Sequence, residues 1–302
     1  MGEKRREYDS AYKYLFSNKR IFHEFLTRFV HEDFVGEISL KDIEKVDKSF
    51  VSDEFLKRES DIIYKVKTLK EDVYIYILVE FQSTVDKTIP VRMLLYILQM
   101  YDELYRNSRK GKLPAIFPVL LYNGNEKWTV PVDISELIEG TIPLKYIPAF
   151  RYYPVIENEI SDGVLRRIKG IMAAIIYLEK QKDEKLLSEA IDTVIELIKE
   201  ERPQQLKMFT VWLNKMFRHA IDNKEVEKIT GLTEVKSMIT QIAEQIEARG
   251  EKRGMERGME RGMERGMEKK AREDALRMKE KGYALKDIAD ITGLTEEEIK
   301  KL

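Results

Sequence analysis

The chain has 302 residues, 43% hydrophobic and 35% charged, with 53 Lys+Arg set against 54 Asp+Glu. That balance excludes a globally basic nucleic-acid surface, so a DNA contact is expected only as a local patch. The absence of cysteine excludes disulfides and thiolate metal sites. No apolar run reaches the ~20 residues that span a bilayer, and the first residues lack the apolar stretch of a secretory signal. A soluble, cytoplasmic protein without a membrane partner is the expectation.

From Asp9 to about Val30, residues Tyr12, Leu15, Phe16, Phe22, Phe25, Leu26 and Phe29 recur at helical spacing and predict one amphipathic helix, with Asp9 as its cap. Leu40 to Val51 is a weaker strand candidate, interrupted by charges. Asp61–Lys67 and Val73–Gln82 are rich in β-branched and aromatic residues and predict two strands, with Thr68–Asp72 as the polar turn. Pairing Lys67 with Tyr74 brings Asp61 opposite Glu80. One face then carries Ile62, Tyr64, Val66, Ile75, Ile77 and Val79, and the other ends in Asp61, Glu80 and Gln82. Directly opposed residues have Cβ atoms roughly 4.5–5.5 Å apart, where like charges destabilise. Two carboxylates kept at such a position point to a cation between them, and carboxylates plus water are the ligands Mg²⁺ prefers. The plainer reading is a pair of solvated strand ends.

Pro90–Tyr105 predicts a helix with Pro in its first turn. Ala115–Tyr122 is almost wholly apolar and predicts a strand buried on both faces, ended by the Asn123-Gly124 turn. The order is α, weak β, β, β, α, β, and the last three elements have the length of a parallel crossover. Beyond Tyr146 the chain reads as mainly helical, with apolar residues at helical spacing over 168–178, 186–198 and 206–217.

Arg-Gly-Met-Glu occurs four times in succession over residues 253–268. Its four-residue period lines up Met255, Met259, Met263 and Met267, with glycines beside them. This predicts a helical linker or self-association strip, against the alternative of a solvated charged linker. The tail, from Ala275 to Ile299, has the outline of a helix-turn-helix. Gly282 closes one helix, Thr292-Gly293 forms the turn, and Thr295 with Glu298 makes a capping box. Glu296, Glu297 and Glu298 at the start of the last helix would repel phosphates, so packing or protein contact is favoured over base reading.

Tyr8-Asp-Ser-Ala-Tyr-Lys-Tyr-Leu-Phe16, Ser60-Asp-Ile-Ile-Tyr64, Ile77-Leu-Val-Glu-Phe-Gln-Ser-Thr84, Arg92 with Tyr96, and Phe117-Pro-Val-Leu-Leu-Tyr-Asn-Gly124 together resemble the Rpn family. These are the recombination-promoting nucleases and transposase-like proteins of the PD-(D/E)XK superfamily, and the likeness covers roughly residues 6–250. It implies an α/β (α+β) protein with a restriction-endonuclease-like αβββαβ core over 1–145. A helical subdomain over 146–248, a repeat linker over 249–270 and a helix-turn-helix-like tail over 271–302 would follow. It further implies metal-dependent endonucleolytic cleavage of DNA with little sequence preference, linked to recombination or mobile elements.

Under that resemblance Asp61 and Glu80 are ligands of Mg²⁺ or another divalent cation. Gln82 stands where most of the superfamily has Lys, and can orient a water without supplying positive charge. Glu54 is a candidate extra ligand, Lys65 a candidate replacement cation, and Lys13 and Arg92 candidate phosphate contacts. Each has a bland counterpart: an exposed strand lysine for Lys65, and a local ion pair at the helix start for Arg92. Glu157 falls about where relatives place a later acidic residue. The expected partners are DNA and, through the repeat, a second copy of the chain. The competing expectations are a non-catalytic DNA- or protein-binding accessory with an inactive nuclease fold, and a transposase.

Overall fold

The computed structural model describes residues 10–46, 61–68, 72–80, 85–108, 111–140, 142–181, 186–217, 222, 226 and 228–302, with the backbone alone at 61, 72, 78–80, 108 and 186–188. Its centre is a five-stranded sheet in the order β1-β2-β3-β4-β5. The strands are β1 (Ile43–Lys45), β2 (Asp61–Lys67), β3 (Asp72–Glu80), β4 (Ala115–Tyr122) and β5 (Tyr153–Ile156). β1, β2 and β3 pair antiparallel, and β3, β4 and β5 pair parallel. β3 is thus the seam between a hairpin and a parallel layer, and the mixed α/β class is as expected.

The β2–β3 register differs from the expected one by two residues. Lys67 pairs with Asp72, Val66 with Val73 and Asp61 with Leu78. The cause lies in Val73, which the longer turn would have left unpaired. In the observed ladder it faces Val66, and both are buried. A slip of two preserves the faces, whereas a slip of one inverts them, so Ile62, Tyr64, Val66, Ile75 and Ile77 are buried as expected.

Helices cover both faces. On one side, residues 10–15 (α1) and Lys19–Phe29 (α2) replace the single helix expected over 9–30. The break comes at Asn18, whose side chain accepts from the amides of Arg20 (2.9 Å) and Ile21 (3.4 Å) and starts a new helix. Phe22 stacks on Tyr64 with ring centroids 3.9 Å apart, and the Tyr64 hydroxyl donates to the Phe16 carbonyl at 2.5 Å. On the other side α3 (Ile89–Ser108) buries Ile89, Met93, Tyr96 and Ile97 against Tyr76, Leu120, Tyr122 and Ile156. Each such fully buried side chain contributes about 1.5–3 kcal/mol.

β5 was not expected, because the region beyond Tyr146 reads as helical. It is only Tyr153-Pro154-Val155-Ile156, too short for an alternating pattern and carrying a proline. It pairs with β4 only over Val119–Tyr122, and Pro118 lies just before that segment. A helical group follows: α4 (Asp162–Ile168), α5 (Gly170–Lys180), α6 (Leu186–Ile198) and α7 (Pro203–Met216). α5 is buried all round from Ile171 to Leu178, the mark of a central helix.

The chain divides into two units, Met1–Ala243 and Glu244–Leu302. α8 (Leu232–Glu280) contains the whole repeat, whose methionines are 58–76% exposed. α9 (Leu285–Thr292) and α10 (Glu296–Lys301) complete the tail around Ala275, Ile288 and Ile299. Gly293 takes the left-handed conformation that ends α9 (φ 74°). The Thr295 amide donates to Glu298 Oε2 at 2.8 Å, while the Glu298 amide donates to Thr295 Oγ1 at 3.3 Å, so the expected capping box is present. Among the described residues no helix is long and apolar enough to cross a membrane.

Candidate active site

Position 61 opens β2 and position 80 closes β3. Because Asp61 pairs with Leu78, Glu80 is the diagonal neighbour two residues on rather than the directly opposed residue. Diagonal neighbours lie about 7–8 Å apart, which relaxes the like-charge contact. By register both fall on the face of the sheet that carries Tyr76 and α3.

Glu80 also pairs in parallel with Tyr122, and Tyr122 with Ile156, so β3, β4 and β5 end in one row. The crevice outside the carboxyl ends of such strands is where open α/β sheets bind ligands. Gln82, Glu54 and Asp9 lie outside the described residues. Among the described residues no group of three or more His, Asp or Glu could hold a metal ion.

Lys65 lies on β2, paired between Glu44 and Tyr74, and shares the parity of position 61 four residues towards the turn. Lys13 is half-buried on α1. Arg92, in the first turns of α3, has the local partner that the bland reading anticipated. Its Nη1 lies 2.6 Å from Asp86 Oδ2, and its Nε donates to the Tyr96 hydroxyl at 3.3 Å. Partial burial works against charge on Asp86. Hydrogen bonds from the Thr88 hydroxyl and amide and from Arg92 outweigh it and hold the carboxyl below its usual range. Arg106, in the last turn of α3, is exposed and pairs with Asp102 at 2.8 Å.

The most unusual chemistry in the described residues was not read as a cluster from the sequence. The Tyr12 hydroxyl lies 3.1 Å from Glu157 Oε1 and 2.8 Å from Glu179 Oε2, and Asn123 Nδ2 donates to Glu179 Oε2 at 3.1 Å. Asn123 directly follows β4 and Glu157 directly follows β5, the row that Glu80 ends on β3. Glu157 is 2% exposed. Burial pushes the Glu157 carboxyl far up, and the adjacent Glu179 adds to this. Burial likewise raises Glu179, against hydrogen bonds from Glu157, Tyr12 and Asn123. For Glu179 a signal existed, a carboxylate at the end of an otherwise apolar helix, whereas Glu157 follows a strand too short to be recognised.

A second acidic pair lies where α2 meets the helical group. Arg28 Nη1 lies 3.7 Å from Glu24 Oε2 and 3.9 Å from Glu201 Oε1, and donates to the Lys169 carbonyl at 2.8 Å. Burial, then the charge of Glu24, pushes Glu201 up to about 7 against the pull of Arg28.

Residues 6–208 match the family model described as "Putative transposase, YhgA-like". The chain is 24% identical to the recombination-promoting nuclease RpnD of Escherichia coli O157:H7 over 247 residues, which is 79% of this chain and 93% of that protein. It is 30% identical to the recombination-promoting nuclease RpnA of Escherichia coli K12 over 120 residues, 39% of this chain and 40% of the relative. A K12 protein named an inactive recombination-promoting nuclease-like protein, RpnE, is 25% identical over 138 residues, 45% of each chain. No solved structure matches the chain. With a match running from residue 6 to 208 of 302 and relatives of the Rpn type, this chain belongs to the YhgA-like transposase family that includes the Rpn nucleases.

Proposed function

We propose that this protein is a metal-dependent DNA endonuclease of the Rpn type, built on a PD-(D/E)XK core and acting in the cytoplasm in DNA recombination or on mobile elements. The observation that carries the reading is the backbone placement of Asp61 and Glu80 on adjacent strands, one diagonal step apart, at the row of carboxyl strand ends. The element order supports the superfamily, and the relatives named as nucleases support the activity. Two carboxylates form a hard donor set that suits Mg²⁺.

Asp61 and Glu80 would hold the ion, and the chemistry it would supply when bound is polarisation of the phosphodiester and acidification of a water. Gln82 orients that water through its amide. Lys65 provides the positive charge that Gln82 cannot. Lys13 and Arg92 hold substrate phosphates. Arg92 does so while paired with Asp86, since a guanidinium has five N–H donors. Glu54 adds a further oxygen ligand. Calorimetric titration with Mg²⁺ and Mn²⁺ tests the metal site: binding by the wild type that is lost in both Asp61→Asn and Glu80→Gln is expected, and equal binding by all three proteins would refute it.

One observation favours a second reading, a non-catalytic accessory on the same fold: a relative matching 45% of the chain is named inactive. That version also binds DNA, but leaves it uncut.

For the repeat we place a second copy of this chain on the methionine face of α8. Each repeat carries one Arg and one Glu, so the strip is complementary in charge to another copy of itself. Ridges spaced by four residues interlock at a crossing near −50°, and a glycine ridge beside a methionine ridge provides the groove and the knob.

A further inference from the structure

Two buried carboxyl groups meet one tyrosine hydroxyl at the carboxyl edge of the sheet. A hydroxyl has a single proton, so Tyr12 can donate to Glu157 or to Glu179 at one time, not to both. Asn123 supplies a second donor, to Glu179 alone. One oxygen on each carboxyl, Glu157 Oε2 and Glu179 Oε1, is buried without a donor. The two carboxyl groups converge on that one hydroxyl, with oxygens 3.1 and 2.8 Å from it. Two carboxylates so close to one donor repel each other, whereas a carboxylic acid and a carboxylate do not. One proton held between them therefore supplies the missing donor and removes the charge repulsion at once.

The charged groups of the surrounding elements do not neutralise the pair. Lys180 Nζ, at the end of α5, is held by the Ile160 carbonyl and Asp162 Oδ1, each at 2.6 Å. Lys215 Nζ on α7 reaches Ser10 Oγ at 3.3 Å and lies 5.5 Å from the centroid of the Tyr14 ring. Lys13 and Tyr14 are the other titratable residues in the described part of α1, and neither contributes to the shift of either carboxyl group.

We infer that Glu157 and Glu179 retain one shared proton at neutral pH, and that this proton completes a latch in which Tyr12 ties α1 to the ends of β4, β5 and α5. Both folded-state values are raised, so the stability the pair confers is complete below the ordinary carboxylate range. It falls as pH climbs through the folded-state values. The latch is an acid-stabilised contact that loosens in alkali.

Trp212 reports on it directly, because its ring meets the Tyr12 ring edge-on with centroids 6.4 Å apart. The experiment uses full-length Trp128→Phe protein, which leaves Trp212 as the sole indole, with Glu201→Gln added to remove a carboxyl raised to about 7. Trp212 emission is followed from pH 5.5 to 9.5, and the infrared carbonyl stretch of un-ionised carboxyl groups is recorded at pH 7.5. The expected result is an un-ionised carboxyl band at pH 7.5 and a red shift of Trp212 above neutral pH. Both should be lost in Glu157→Gln and in Glu179→Gln, where an amide donor replaces the proton permanently. The infrared band is read on the parent protein, so it decides even where a variant fails to fold. Absence of that band, or an emission shift unchanged in both variants, would overturn the latch. So would suppression of the alkaline shift by millimolar Mg²⁺ or Ca²⁺, which would make the cluster a cation site.

Discussion

The Arg28 guanidinium occupies the space beside Gly170 that a side chain would take. A β-carbon built on Gly170 would lie 1.6 Å from Arg28 Nη1, and the residue adopts φ 91°, a conformation that glycine alone takes readily. The same nitrogen donates to the Lys169 carbonyl, so α2 is tied to the sharp joint between α4 and α5. Gly170→Ala is expected to displace Arg28 and to destabilise the protein by about 2–3 kcal/mol, through backbone strain and the lost contact together. A urea midpoint unchanged by the substitution would show that the joint does not depend on this approach.

Glu201 gives stability a second dependence on pH. Its folded-state value is raised to about 7 by burial and by Glu24, so its contribution is complete below the ordinary carboxylate value of about 4.3. It declines as pH rises through about 7. Because the carboxyl is partly open to solvent, the effect is about 1–2 kcal/mol rather than the full value of the shift. Glu201→Gln should flatten the stability profile between pH 5 and 8 and be the more stable protein at pH 8, as read from denaturation midpoints across that range.

In the tail, the reciprocal bonds between Thr295 and Glu298 satisfy amides at the start of a helix of six residues, α10. Thr295→Ala is expected to cost about 1 kcal/mol, which corresponds to roughly fivefold faster amide exchange over residues 285–301. Exchange left at the wild-type rate would mean that Ile299, buried against Ala275 and Ile288, holds α10 by itself.

Replacing Gly254, Gly258, Gly262 and Gly266 by alanine separates helix stability from association. Each glycine in a helix interior costs about 1 kcal/mol relative to alanine, and a β-carbon at any of the four meets nothing within 4 Å. The quadruple variant should therefore be more helical by circular dichroism. It should also self-associate less in sedimentation equilibrium, because the groove for the second copy is filled. Greater helicity with unchanged association would remove the repeat from the interface.

How much of this was legible in the sequence varies with the kind of information involved. Period-two alternation identified the buried face of β2 and β3, because a residue's face depends only on parity. The register depended on the turn, and the pull of Val73 into the ladder opposite Val66 is a packing preference that alternation does not encode. Asn18 was hidden because Phe16, Phe22 and Phe25 continue the helical spacing across the break. β5 was hidden by its four residues and its proline. Asp61 and Glu80 could be picked out because strand pairing brings them together at short sequence distance. The Glu157–Glu179 pair depends on how α5 packs against the sheet, which nothing in a single sequence displays. Arg92 was legible as a residue of interest, and its pairing with Asp86 was one of two readings open at that point.

The most direct test is plasmid cleavage by purified full-length protein and by its Asp61→Ala and Glu80→Ala variants, each with Mg²⁺ and with chelator. Loss of a metal ligand removes several kcal/mol of transition-state stabilisation, so a fall on the order of 10²-fold or more is expected in either variant. Metal-dependent nicking or linearisation by the wild type that disappears in both variants is the predicted result. Cleavage that persists undiminished in both, or that continues in chelator, would contradict a metal site at Asp61 and Glu80.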